Sequence, residues 1–70
     1  MMPMNLLSPG EEGTIQRIGG KPELRQHLET MGFVVGGGVQ LVAEMGGNVI
    51  VNVKESRVAI SREMAAKIFV

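Results

Sequence analysis

The sequence predicts a small, mainly β domain: a short-stranded antiparallel barrel or sandwich with one helix after the first strand and a short helix near the C-terminus. Three observations predict it. Between Thr14 and Ser61, four short runs rich in valine and isoleucine are separated mostly by glycine-bearing turns, the rhythm of a small β fold. Seventy residues leave room for one domain, and a chain of roughly 60 residues buries only about 60% of its unfolded surface, so the core has to be nearly complete. Cysteine is absent, so no disulfide framework or thiolate metal site supports that core.

Taken in order, residues 1–5 are expected to be a frayed tail, as chain ends are unless tied down. Leu6 and Leu7 can dock on the body, and Ser8-Pro9-Gly10 is turn chemistry. Thr14–Ile18 reads as the first strand, but Ile15 and Ile18 cannot share a face of a regular strand, which calls for a bulge or bend. Gly19-Gly20 ends it. Pro22 suits the first position of a helix, and Leu24, Leu28 and Met31 then recur as one apolar stripe. Arg25 and Glu29, four apart on the solvent side, are placed to pair for about 0.2–0.5 kcal/mol.

Gly32 stands where the helix needs a left-handed residue, and Phe33 is then positioned to fold back on Leu28. A helix of about ten residues does not persist alone in water, so packing on the sheet must hold it. Beyond Gly36-Gly37-Gly38 the period changes to two: Val39, Leu41 and Ala43 alternate in strand Gly38–Glu44. Met45-Gly46-Gly47 reads as a hairpin turn, followed by Asn48–Val53 with Val49, Val51 and Val53 inward. After Lys54-Glu55-Ser56 comes strand Arg57–Ser61. Ser61 is placed to cap a last helix, Arg62–Ile68, with Ala65, Ile68 and Phe69 facing inward.

Composition limits function. Hydrophobic residues make up 44% of the chain and charged residues 20%, which argues against disorder. Seven basic side chains balance seven acidic ones, all glutamate, without the basic stripe that phosphate binding needs. There is no tyrosine or tryptophan on which bases would stack. No apolar run reaches the roughly 20 residues of a membrane span. The first basic residue is Arg17, so the basic start of a secretory signal is missing and a cytoplasmic location is expected.

Candidate chemistry is sparse. His27, the lone histidine, lies one helical turn after Glu23; the pair offers imidazole and carboxylate to a divalent metal. Two ligands fall short of the three or four a firm site uses, and a surface hydrogen bond accounts for them equally well. Ser8, Ser56 and Ser61 all have turn or cap explanations, and one histidine without aspartate or cysteine makes no nucleophile–base pair. Gly36–Gly38 is followed by a strand and no GK[ST], so it is not a phosphate loop. Phe33, Val34, Val35 and Met45 cannot all be buried in so small a body. They are the candidate partner-binding residues, although Phe33 has a ready core role against Leu28.

The whole pattern resembles a known family. Leu7 and Gly10; Gly13 and Ile15 with Ile18-Gly19-Gly20; Leu28 through Met31-Gly32-Phe33; Gly36 with Val39; and Val58-Ala59-Ile60-Ser61 with Ala65 and Ile68 stand as in the ferrous iron transport protein A family, FeoA. The SH3-like domain at the end of some metal-dependent repressors is similar. The resemblance runs from about Leu6 to Val70. Two departures stand out: Phe33 where leucine is commoner, and Val35 where proline usually precedes the glycine, which with three glycines loosens that loop. The resemblance implies a single SH3-like barrel over residues 1–70 in a bacterial cytosol, with no cofactor. It further implies an accessory, non-catalytic role by protein contact with FeoB, the membrane ferrous iron transporter whose cytosolic part handles GTP. The alternative is a small-barrel nucleic-acid-associated or repressor-type regulatory domain.

Overall fold

Valine-rich alternation and tight turns produce the main sheet. The computed structural model describes residues 1–70. In chain order the elements are a 3-10 turn Met4–Leu6, β1 Glu12–Thr14, β2 Arg17–Ile18, α1 Pro22–Thr30, β3 Gly38–Met45, β4 Asn48–Val53, β5 Ser56–Ser61, α2 Arg62–Ala65 and β6 Ile68–Phe69. One antiparallel sheet has the order β1-β3-β4-β5, and β2 pairs with β6 in a second, two-stranded one. The fold is mainly β and SH3-like, with one helix after the first strands and a short helix near the C-terminus.

The expected first strand is split between the two sheets. β1 pairs with β3, β2 pairs with β6, and the bend falls at Ile15 and Gln16. Ile15 is buried in the interior while Ile18 is half-buried, the conflict of faces resolved by a corner. Gly46 and Gly47 both have positive φ, 55° and 84°, closing the β3–β4 hairpin with the conformation two-residue turns favour. Val49, Val51 and Val53 all point inward.

β3 departs from simple alternation. Its register moves from Leu41 opposite Val51 to Ala43 opposite Ile50, so one extra residue bulges at Val42. Ala43, expected inward with Val39 and Leu41, instead shares the half-buried position of Ile50.

The last helix is shorter than its expected Arg62–Ile68. The Ser61 hydroxyl accepts from Met64 N–H at 3.1 Å, the expected cap, but α2 stops at Ala65. Ile68 and Phe69 then extend to give β2 a partner, which satisfies backbone groups a longer helix would leave orphaned. Ala65 and Ile68 are buried; Phe69 is half-buried.

The N-terminal residues are not frayed. Met2 and Val70 exchange two backbone hydrogen bonds of 2.8 Å, Pro3 bridges Phe69, and Met4 is 0% exposed. Met4 joins the core, and the C-terminal residues Phe69 and Val70 supply the tie.

Helix α1 ends in a full Schellman turn. Phe33 N–H donates to Leu28 C=O and Gly32 N–H to Glu29 C=O, each at 3.0 Å, with Gly32 at φ 108°. Leu28 and Phe33 are both 0% exposed, the apolar contact such a turn brings together. Lys54, the one non-glycine residue with positive φ (55°), lays its aliphatic stem over this end; a methyl on Gly32 would sit 3.7 Å from its Cδ. A cation is favoured at that helix terminus.

Thirteen apolar side chains form one core, drawn from every element except β1 and β2 and, between elements, from Leu7, Ile15 and Phe33, and no polar residue is buried with them. Two outcomes check this account by chemical denaturation. Met4→Ala costs about 2–5 kcal/mol, the range for truncating a buried side chain, whereas a frayed tail would cost nothing. Gly32→Ala costs about 1–2 kcal/mol, the left-handed penalty of a β-carbon.

Candidate docking surface

The Schellman turn sends Phe33 inward and so decides where the next residues go. Val34 is half-buried and Val35 is 65% exposed. The glycines after them do not loosen the loop. Ile15 N–H donates to Gly37 C=O at 2.8 Å, Gly36 N–H donates to Ile15 C=O at 2.8 Å, and Gly37 N–H donates to Val34 C=O at 2.9 Å. The loop is thus pinned to the corner between β1 and β2.

Beside it lies a cleft of about 310 Å³, walled by Gln16, Arg17 and Ile18 from the β2 side, Arg25 and Glu29 from α1, and Val34 and Val35 from the loop. The Arg17 guanidinium sits over the Phe69 ring, 4.8 Å from its centroid. Arg25 and Glu29 do not form the ion pair their spacing allows; the one ion pair in the chain joins Arg62 to Glu44. The cleft is therefore part apolar and part cationic.

Of the four candidate partner-binding residues, the structure brings only Val34 and Val35 together. Phe33 is 0% exposed and is a core residue, because the helix-closing turn needs its ring on Leu28. Met45 is 63% exposed but at the other end of the eight-residue β3, roughly 20 Å along the strand from the loop at about 3.3 Å per residue. Glu23 and His27 are exposed on α1, and no three His, Cys, Asp or Glu side chains anywhere are grouped to hold a metal. Arg17 and Arg25 were not legible as neighbours in sequence: seven residues, two of them glycines, lie between them, and it is the fold that brings both to one cleft.

A larger hollow, about 790 Å³, covers the outer face of the main sheet. Three of its polar side chains form a chain of bonds: Arg57 Nε donates to Asn52 Oδ1 at 3.0 Å, Asn52 Nδ2 to Gln40 Oε1 at 3.1 Å, and Gln40 Nε2 to Gly10 C=O at 3.1 Å. This is a cross-strand ladder that stiffens the sheet. No helix is long and apolar enough to cross a membrane.

Fold and surface together define a small SH3-like β domain with a rigid, mixed apolar and cationic cleft. The FeoA domain model matches residues 2–70, and the chain belongs to that family. It is 33% identical over 70 residues to a protein of Methanocaldococcus jannaschii named as an Fe(2+) transport protein A, spanning 100% of this chain and 85% of the relative. It is similar to a crystal structure described as an iron uptake regulatory protein (FeoA), with TM-score 0.87 and 31% identity over 96% of this chain and 89% of the other. A manganese-dependent transcriptional repressor matches with TM-score 0.83 and 20% identity, over 93% of this chain and 38% of the repressor; that likeness is one of fold.

Core and surface roles in the loop separate by stability. Phe33→Ala is expected to cost about 3–5 kcal/mol, a large part of what a domain of this size has. Val35→Asp is expected to stay within about 0.5 kcal/mol of the parent, both read from urea midpoints.

Proposed function

We propose that this chain is a non-enzymatic, cytoplasmic accessory protein of ferrous iron uptake, acting by contact with the cytosolic GTP-binding part of the transporter FeoB. Family membership and the Fe(2+) transport protein A relative support the iron-uptake role. The observation that carries the docking reading is Val35: an aliphatic side chain 65% exposed on a loop held by three backbone hydrogen bonds. A pre-ordered loop loses little conformational freedom on association, which is where interface affinity is gained. An apolar residue rimmed by polar ones is the ordinary anatomy of a protein interface.

A non-catalytic role fits the side chains available. The single histidine is exposed on α1, the Ser61 hydroxyl caps α2, and cysteine and aspartate are absent from the sequence. No side chain here is arranged as a nucleophile beside a base.

Titrating the transporter's cytosolic part with the purified chain tests the proposal. Binding is expected with the parent and about tenfold weaker with Val35→Asp, the cost of placing a charge at an apolar contact. Absence of binding in both the GTP-bound and nucleotide-free states would refute it.

A further inference from the structure

The four arginines of this chain fall into two classes. Arg57 donates its Nε to Asn52 and Arg62 pairs with Glu44. Arg17 and Arg25, the two that line the cleft, make no side-chain hydrogen bond and no ion pair with the protein. Glu29 is the only acid in the cleft wall, so the cleft carries two positive charges against one, a net +1, in a chain whose total is zero.

Arg17 is also prepared for a ligand. Its backbone is fixed by pairing with Phe69, and its guanidinium rests over the Phe69 ring. Stacking leaves the N–H edge of the guanidinium available, and that edge matches a carboxylate in a two-point hydrogen bond. Next to it, Ile18, Val34 and Val35 supply an apolar wall.

We propose that this cleft receives a side-chain carboxylate of a protein partner, carried next to an aliphatic residue that seats against Val35. The proposal rests on the docking reading above and names the chemistry of what docks. A bare phosphate would satisfy the arginines and leave the valines facing water, so the apolar wall selects a protein side-chain pair. Unpaired, partly ordered arginines beside an apolar anchor are the residues that dominate interface energies.

Two measurements on the intact chain test it. In the first, amide shifts are followed during titration with the blocked peptide Val-Glu-Leu-Glu, its Val-Gln-Leu-Gln analogue, and inorganic phosphate. The acidic peptide is expected to move the amides of Gln16–Ile18 and Val34–Gly36 with an affinity about tenfold above the glutamine analogue. Arg17→Gln and Arg25→Gln, both exposed and away from the core, should each remove most of that difference. In the second, the transporter's cytosolic part replaces the peptides, and binding should weaken with salt and with either arginine substitution.

Equal affinity for the two peptides, or phosphate moving the same amides as strongly as the acidic one, overturns the proposal. So does transporter binding that responds to Val35→Asp but not to salt or to either arginine, an outcome that leaves the docking reading standing. Peptide discrimination with no transporter binding in either nucleotide state supports the carboxylate site and refutes the transporter as its partner.

Discussion

The contact of Phe33 with Leu28 across Gly32 is the constraint on which the rest of the structure depends. Helix α1 has nine residues, below the length at which a helix survives alone, so it exists here because its end is locked and its apolar stripe is buried. The lock is local and geometric: a left-handed glycine brings two side chains, five residues apart, onto the same spot. Phe33 is the largest of the fully buried side chains. In a body held without disulfides, that ring joins helix to sheet at the point where the chain turns toward β3.

Burying Phe33 has a consequence for the surface. Val34 stays half-buried beside Phe33, and Val35 is left 65% exposed where the chain turns at Gly36, whose φ is 90°. Ile15 reinforces the arrangement from the other side: its side chain is 1% exposed, while its N–H and C=O both bond the loop. The two walls of the cleft, β2 and the loop, consequently meet at one buried residue and are fixed relative to each other. That arrangement comes from the fold, so the candidate docking surface needs no ordering step of its own.

Much of this was legible in the sequence because its causes are local. A glycine after an apolar stripe, a Gly-Gly pair between two valine runs, and a serine before a short helical stretch each specify a backbone conformation within a few residues, and Gly32, Gly46 and Gly47, and Ser61 adopt them. What could not be read depends on pairing across the chain. Ile68 and Phe69 carry a pattern equally compatible with the end of a helix; only β2's need for a ladder partner makes them a strand. Met2 and Met4 look like a loose end until Val70 and the core claim them. The bulge at Val42 shifts Ala43 out of the interior without any glycine to announce it. The site shows the same division. Val34 and Val35 were found by asking which apolar residues a small body cannot bury. Met45 met the same criterion but lies at the opposite end of a strand, and spatial separation of that kind has no sequence signature. Helix spacing offers Arg25 a partner in Glu29 that it does not take, and nothing near Arg17 in the sequence points to the helix.

Zero net charge without a basic stripe argues against binding a polyanion through its phosphates. For a protein partner the relevant quantity is smaller in scale. At physiological ionic strength charges are screened beyond about 8 Å, so a partner seated in the cleft, as proposed, would respond chiefly to Arg17, Arg25 and Glu29, the charges of its wall. Arg57 is bonded to Asn52 and Arg62 to Glu44, and the two arginines left without a polar partner both line the cleft. A chain with balanced totals can therefore be neutral toward its surroundings in general and selective at a single surface, with the selectivity set by which of its charges the fold has left without a partner.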